Sequence, residues 1–104
     1  MTGVKEIGFD ALKAGLADDT LVLVDVREAN EFAAGHIPGS VLNPLSHFDV
    51  SALPQGRRVV LSCRSGNRSK TAAAMAQAAG RTDVDTHFAP GFMGWANAGE
   101  PVEL

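Results

Sequence analysis

An α/β fold built on a parallel sheet is what this sequence predicts, and three observations carry the prediction. Strand-like and helix-like runs alternate along the chain, the order that feeds a parallel sheet with helices packed on it. Leu21-Val22-Leu23-Val24-Asp25-Val26 is almost continuously apolar and β-branched, as a strand covered on both faces must be. A second such run, Val59-Val60-Leu61-Ser62, leads through a short polar loop into the alanine-rich stretch Thr71 to Ala79. At 104 residues the chain has the size of one domain, 1–104, with length enough for one hydrophobic core.

The elements follow in order. Val4 to Ile7 reads as a short edge strand. Phe9, Leu12 and Leu16 fall at spacings of three and four, which predicts an amphipathic helix over 9–16. Gly15 weakens that helix, and Ala17-Asp18-Asp19-Thr20 reads as its exit. After the buried strand, Ala29 to Ala34 suits a short helix stopped by Gly35. Pro38-Gly39 is a turn, and Val41-Leu42-Asn43 a short strand. Pro44 to Leu53 has no clear period and fits one helical turn; Pro54-Gln55-Gly56 is a loop. Arg57-Arg58 reads as solvated charge at the start of the next strand. A helix over 69–79 with Gly80 at its C′ position, a strand over 84–88, a turn at Ala89-Pro90-Gly91 and a helix over 92–98 complete the chain.

Composition removes several classes of function. A net charge of −3 argues against general nucleic-acid binding. No apolar run approaches the roughly 20 residues of a membrane span. No secretory signal opens the chain, since Lys5, Glu6, Asp10 and Lys13 break up its start. The single cysteine, Cys63, excludes an internal disulfide and an all-thiolate zinc site within one chain. A reducing cytoplasm is the expected location for a catalyst that needs a free thiol.

Cys63 therefore draws attention to its own surroundings. Leu61-Ser62-Cys63-Arg64-Ser65-Gly66-Asn67-Arg68-Ser69 reads as the end of a strand, a tight loop and the start of a helix. Such a loop turns its backbone N–H groups inward at a helix N-terminus, where negative charge is favoured. A free thiol with a pKa of roughly 8.5 is only about 3% thiolate at pH 7. Loop amides, the helix N-terminus and the two arginines are expected to lower that pKa and make Cys63 a nucleophile. A lone cysteine ending a buried strand is commonly an inert core residue. Two arginines within five residues, with a glycine and an asparagine between them, do not fit that reading.

The string Cys63-Arg64-Ser65-Gly66-Asn67-Arg68-Ser69, with four residues between Cys63 and Arg68, resembles the active-site loop of single-domain rhodanese-like sulfurtransferases. Related phosphatases and arsenate reductases place five residues there, enough to ring a phosphoryl group, whereas a shorter loop suits one extra sulfur. Asp25-Val26-Arg27-Glu28, Glu31-Phe32 and Gly35-His36-Ile37-Pro38-Gly39-Ser40 resemble the family's second signature. Asp25, Arg27 and Glu31 read as ion pairs that fix the chain rather than as acid–base groups. His36 reads as part of a turn, because neither His47 nor His87 stands at a metal-ligand spacing from it.

The resemblance covers roughly Leu21 to Val102. It implies a rhodanese-like parallel sheet of about five strands with helices on both faces, and the loop at the carboxyl end of a central strand. It departs from the family where two glycines usually precede the last helix and Pro90 takes the first place. Phe92 and Met93 then read either as an apolar rim of the pocket or as core.

What the resemblance implies for function is sulfane-sulfur transfer by double displacement. Cys63 takes a sulfur from a donor such as thiosulfate, glutathione persulfide or a protein persulfide. It passes that sulfur to a thiophilic acceptor such as cyanide or a thiol. Backbone N–H groups over 64–69 are expected to stabilise the anionic sulfur, so Ser65, Gly66 and Asn67 join Arg64, Arg68 and Ser69 as substrate-binding residues. Arg64 and Arg68 attract an anionic donor, with ordering of the loop as the alternative role of Arg68. Ser69 is expected to cap the helix and to donate to the sulfur. No metal or organic cofactor is implied, and a monomer is the default. Two other readings stand beside this one: a non-catalytic rhodanese-like binding module, and a cysteine phosphatase or arsenate reductase.

Overall fold

The computed structural model describes residues 3–104. The helices are α1 (Phe9–Asp18), α2 (Ala29–Ala34), α3 (Asn67–Ala78) and α4 (Gly91–Asn97). The strands are β1 (Lys5–Glu6), β2 (Leu21–Asp25), β3 (Val41–Leu42), β4 (Arg58–Ser62) and β5 (Thr86–His87). All strand pairs are parallel and lie in the order β1-β5-β4-β2-β3, so β4 occupies the centre. The expected α/β architecture of five parallel strands is the one observed.

Alternation along the two long strands splits the core into two layers. Val22 and Val24 of β2 and Val59 and Leu61 of β4 pack with Ala72, Ala73 and Ala76 of α3. Leu21, Leu23 and Val60 point the other way, to Leu12 of α1, Phe88 and Trp95 of α4. Helices therefore cover both faces, which is why β2 is apolar at successive positions rather than at alternate ones. Burying a side chain such as Leu12 or Leu23 contributes about 1.5–3 kcal/mol. The alanines of α3 contribute less individually but let the helix lie close on the sheet.

Gly15 is needed rather than merely tolerated. A Cβ there would stand 2.2 Å from Leu21 Cδ2. The glycine lets α1 approach β2 closely, which outweighs its cost to helix propensity. The helix also runs two residues past the expected Leu16, and Asp19 ends it at φ 61°.

Other boundaries shifted for local reasons. Residues 44–53 form two single 3₁₀ turns, Leu45–His47 and Val50–Ala52, in place of one helical turn. Asn43 holds the second in place, its Nδ2 donating to Asp49 O at 2.9 Å and its Oδ1 accepting from Asp49 N at 3.0 Å. The strand expected over 84–88 is regular only at Thr86 and His87, because its start is taken up by a turn in which Val84 N donates to Arg81 O. Arg57 pairs with Asp19 at the surface, and Arg58 Nη2 donates to Thr86 Oγ1 at 3.2 Å. No helix among the described residues is long and apolar enough to cross a membrane.

Candidate active site

Cys63 is the first residue beyond β4, at the carboxyl end of the central strand. Ligands bind at such strand ends in open α/β sheets. Gly66 then adopts φ 103° and turns the chain directly into α3. A Cβ at Gly66 would stand 3.0 Å from Ala89 O, so both the dihedral and the close approach call for glycine. The helix starts at Asn67, two residues earlier than alanine content alone suggests, because Gly66 supplies the turn.

That earlier start corrects the expectation for Ser69. It is not the N-cap; Gly66 is, and Ser69 is the third residue of α3. Its hydroxyl lies 3.1 Å from Gly66 O and 3.7 Å from Cys63 Sγ. The N-cap residue itself supplies an amide to the sulfur. Gly66 N donates to Cys63 Sγ at 3.1 Å. Burial opposes ionisation of Cys63, which is 1% exposed. The amide and hydroxyl of Ser69 and the amides of Gly66 and Ser65 outweigh it, and the thiol pKa falls below its ordinary value. Arginine is not among the main causes of that shift.

Arg68 is committed elsewhere. It grips Glu31 of α2 through two parallel hydrogen bonds, Nη1 to Oε1 at 2.6 Å and Nη2 to Oε2 at 2.9 Å. The Arg68 guanidinium holds the Glu31 carboxyl down to about 2, so the pair is ionised throughout the neutral range. Glu31 Oε1 also accepts from Glu28 N at 3.0 Å, one half of a capping box that starts α2. Arg68 thus ties the loop to α2 and senses the charge of a Cys63 thiolate from that position. Arg64, by contrast, is exposed, as are Ser65 and Asn67.

Asp25 and Arg27 form the buried ion pair expected of them. Arg27 Nη2 donates to Asp25 Oδ2 at 2.8 Å and to Gly35 O at 2.7 Å. The guanidinium also lies 4.3 Å from the centre of the Phe92 ring. Glu31 belongs to a different pair, with Arg68, and is only half-buried. His36 has the structural role expected of it: its ring stacks on Phe32 at 3.8 Å, and Nδ1 lies 2.9 Å from Phe32 O. Among the described residues no group of three or more His, Cys, Asp or Glu side chains is arranged to hold a metal.

The turn before α4 accommodates Pro90 without difficulty. Pro90 adopts φ −59°, the value its ring imposes. Gly91, with φ 65°, is the glycine the turn requires. A Cβ there would meet Arg64 O at 2.4 Å and Cys63 O at 2.5 Å. The two segments lock together through Phe92 N to Cys63 O at 2.8 Å and Met93 N to Arg64 O at 3.1 Å.

Beside the loop lies a cleft of about 360 Å³ whose walls include Arg27, Glu31, Gly35, Arg64, Phe92 and Met93. Phe92 and Met93 therefore form a rim, and Phe92 is also partly packed against the core. Two contributors escaped the sequence. Glu31 as the partner of Arg68 depends on α2 lying beside the loop, a consequence of β2 and β4 being neighbours. His87 enters the site from β5, where its Nδ1 lies 2.7 Å from Ser69 Oγ. Its pairing with Leu61, two residues before Cys63, is visible only once strand order is known.

A cysteine with a lowered thiol pKa, held in a loop by a backbone amide at the end of the central strand of a parallel sheet, places the chain among α/β proteins with a cysteine loop. Residues 9–98 match the rhodanese-like domain. The chain belongs to the rhodanese-like family, as its loop and second signature imply. A sulfurtransferase of Allochromatium vinosum is 38% identical over 104 residues, covering 95% of this chain and 94% of that protein. An uncharacterized protein of Synechocystis is 41% identical over 86 residues; the match covers 81% of this chain but 48% of that longer protein. Yeast thiosulfate:glutathione sulfurtransferase is 30% identical, covering 100% of this chain and 87% of that one. Among solved structures, a human single-domain sulfurtransferase superposes with a TM-score of 0.74 at 25% identity, covering 91% of this chain and 97% of that one. A Rhodopseudomonas palustris protein described as a possible tyrosine phosphatase superposes at 0.80 with 27% identity, covering 96% and 85%.

Proposed function

We propose that this chain moves sulfane sulfur from an anionic donor to a thiophilic acceptor through a persulfide on Cys63. The observation that carries the reading is the position of Cys63 Sγ, 3.1 Å from the Gly66 amide in a loop with only four residues before Arg68. Such a cradle stabilises an anionic sulfur and leaves little room for a phosphoryl group.

With thiosulfate the thiolate attacks the terminal sulfur, and the bond between that sulfur and the sulfonate sulfur breaks. Sulfite departs with the bonding electron pair, leaving Cys63–S–S⁻. Cyanide or a thiolate then attacks the outer sulfur, the bond from that sulfur to Cys63 Sγ breaks, and Cys63 is left as thiolate while thiocyanate or a new persulfide departs as the second product. Charge is conserved in both steps and no proton is required. The amides of Ser69, Gly66 and Ser65 favour the anionic form of Cys63, the form that attacks the donor and is restored by the acceptor. Arg64, exposed and lining the cleft beside the loop, is placed to meet an anionic donor.

The test is intact-mass measurement after exposure to thiosulfate, followed by addition of cyanide. One added sulfur on Cys63, then thiocyanate and loss of that sulfur, is the expected result. Hydrolysis of an aryl phosphate without sulfur uptake would identify a phosphatase, and inertness in both assays a binding module.

Arg64→Ala refines the donor. Its side chain is exposed, while its backbone carbonyl keeps its bond from Met93 N at 3.1 Å, so truncation leaves the loop's anchoring intact. A doubly charged donor gains most from a nearby guanidinium. The variant is expected to lose about tenfold in kcat/KM for thiosulfate, the scale of one solvent-screened charge-assisted bond, and much less for a weakly charged alkyl persulfide. Equal losses for both donors, at two salt concentrations, would show that Arg64 supports the loop instead.

A further inference from the structure

His87 is fully buried, and its imidazole has a single polar contact among the described residues. Nδ1 lies 2.7 Å from Ser69 Oγ, while Nε2 has no hydrogen-bond partner among the described residues. A buried polar atom without a partner is costly, so a position serving packing alone favours an apolar residue. The contact His87 does make is to the hydroxyl beside the sulfur.

We propose that His87 is a positioning residue which, as the Nδ1–H tautomer, donates to Ser69 Oγ and keeps the Ser69 proton available to the anionic sulfur of Cys63. The inference rests on Cys63 being the sulfur-carrying nucleophile, and it adds a residue outside the loop to that machinery. A hydroxyl has one proton and two lone pairs. Ser69 Oγ has three neighbours: Cys63 Sγ at 3.7 Å, Gly66 O at 3.1 Å and His87 Nδ1 at 2.7 Å. Gly66 O only accepts.

If Nδ1 carries the proton, both states of the cysteine are served. In the thiol state Oγ accepts from S–H and from Nδ1–H and donates to Gly66 O. In the thiolate or persulfide state it accepts from Nδ1–H and donates to sulfur. If Nδ1 is bare, the short 2.7 Å contact captures the hydroxyl proton, and nothing is left for the sulfur. That second tautomer would also strand a buried N–H at Nε2. Unpaired buried N–H groups are rarer than unpaired acceptors, at least in the backbone. Burial pushes the His87 pKa down and keeps the ring neutral at pH 7; Lys70 of α3 adds to this and Glu6 of β1 opposes it. The other charge that senses the sulfur, Arg68, is already paired with Glu31.

Two measurements decide it. Nitrogen-15 NMR of the reduced wild-type protein is expected to place the His87 proton on Nδ1; a proton on Nε2 overturns the proposal. The pH profile of iodoacetamide alkylation is expected to give Cys63 a midpoint below the free-thiol value of about 8.5. In His87→Leu that midpoint is expected to rise by about half a pH unit, the scale of a lost cooperative hydrogen bond. His87→Asn, whose amide N–H can replace the Nδ1 donor, is expected to restore most of it. A Leu variant that changes melting temperature but leaves the midpoint alone would make His87 a packing residue and overturn the proposal. If the Leu variant does not fold, the wild-type tautomer and the Asn profile still decide. Both measurements are made on the thiol without donor, so they stand apart from the sulfur-uptake test of the function itself.

Discussion

Cys63→Ser is expected to lose sulfur transfer by on the order of a thousandfold or more, down to background, while folding as the wild type does. A serine hydroxyl is far less acidic than a thiol, and the same amides that stabilise a thiolate cannot ionise it at neutral pH. It also cannot carry a persulfide, so both half-reactions fail together. The structural cost is small. The substitution shortens one bond in a packed layer that includes Leu61, Ala72 and Ala73. The Gly66 amide, now 3.1 Å from sulfur, can donate to oxygen instead. A stability loss of about 1–2 kcal/mol is expected, the cost of burying a hydroxyl less the hydrogen bond it accepts from that amide. Thiocyanate production, intact mass after thiosulfate and urea unfolding together check this. Ordinary turnover by the serine variant would remove Cys63 as nucleophile, while a grossly unfolded variant would remove the claim that its role is chemical rather than structural.

The parts legible in the sequence were those whose cause is local. Leu21–Asp25 announced a doubly covered strand by its unbroken apolar run, and α2 was bounded correctly because Gly35 stops it. The thiolate loop was legible because cysteine, glycine and two arginines stand within six residues. Features that depend on strand order were not. Arg68 finds Glu31 only because β4 lies beside β2 and carries the loop to α2. His87 reaches Ser69 only because β5 lies on the other side of β4. Propensity alone misplaced the start of α3, since the alanines fix where the helix is stable and Gly66 fixes where it begins. The length of β1 is that of an edge strand held by two residues of ladder, and that of β5 follows from the turn at its start.

The same order of strands makes a pair outside the loop matter to it, since Asp25 is paired with Ser62, the residue before Cys63. Asp25 accepts four hydrogen bonds from Arg27: its backbone N at 2.9 Å, Nε at 3.1 and 3.0 Å, and Nη2 at 2.8 Å. Both side chains are nearly closed to water, at 6% and 4% exposed. Asp25→Ala is expected to cost about 3–5 kcal/mol, because it leaves a guanidinium that is nearly closed to water without its counter-charge. That is a large share of the roughly 5–15 kcal/mol typical of a domain this size. The loss should extend to activity. Arg27 also holds Gly35 O at 2.7 Å and lies under Phe92, whose amide donates to Cys63 O at 2.8 Å. Removing both charges with Asp25→Leu and Arg27→Met is expected to restore much of the stability, since no unpaired charge remains. It is not expected to restore the cleft wall, so activity should stay low while stability recovers. Urea unfolding of the single and double variants, with thiocyanate assays beside them, measures both effects. A single variant that unfolds at the wild-type urea concentration would show that the pair is not the buried anchor of this part of the chain.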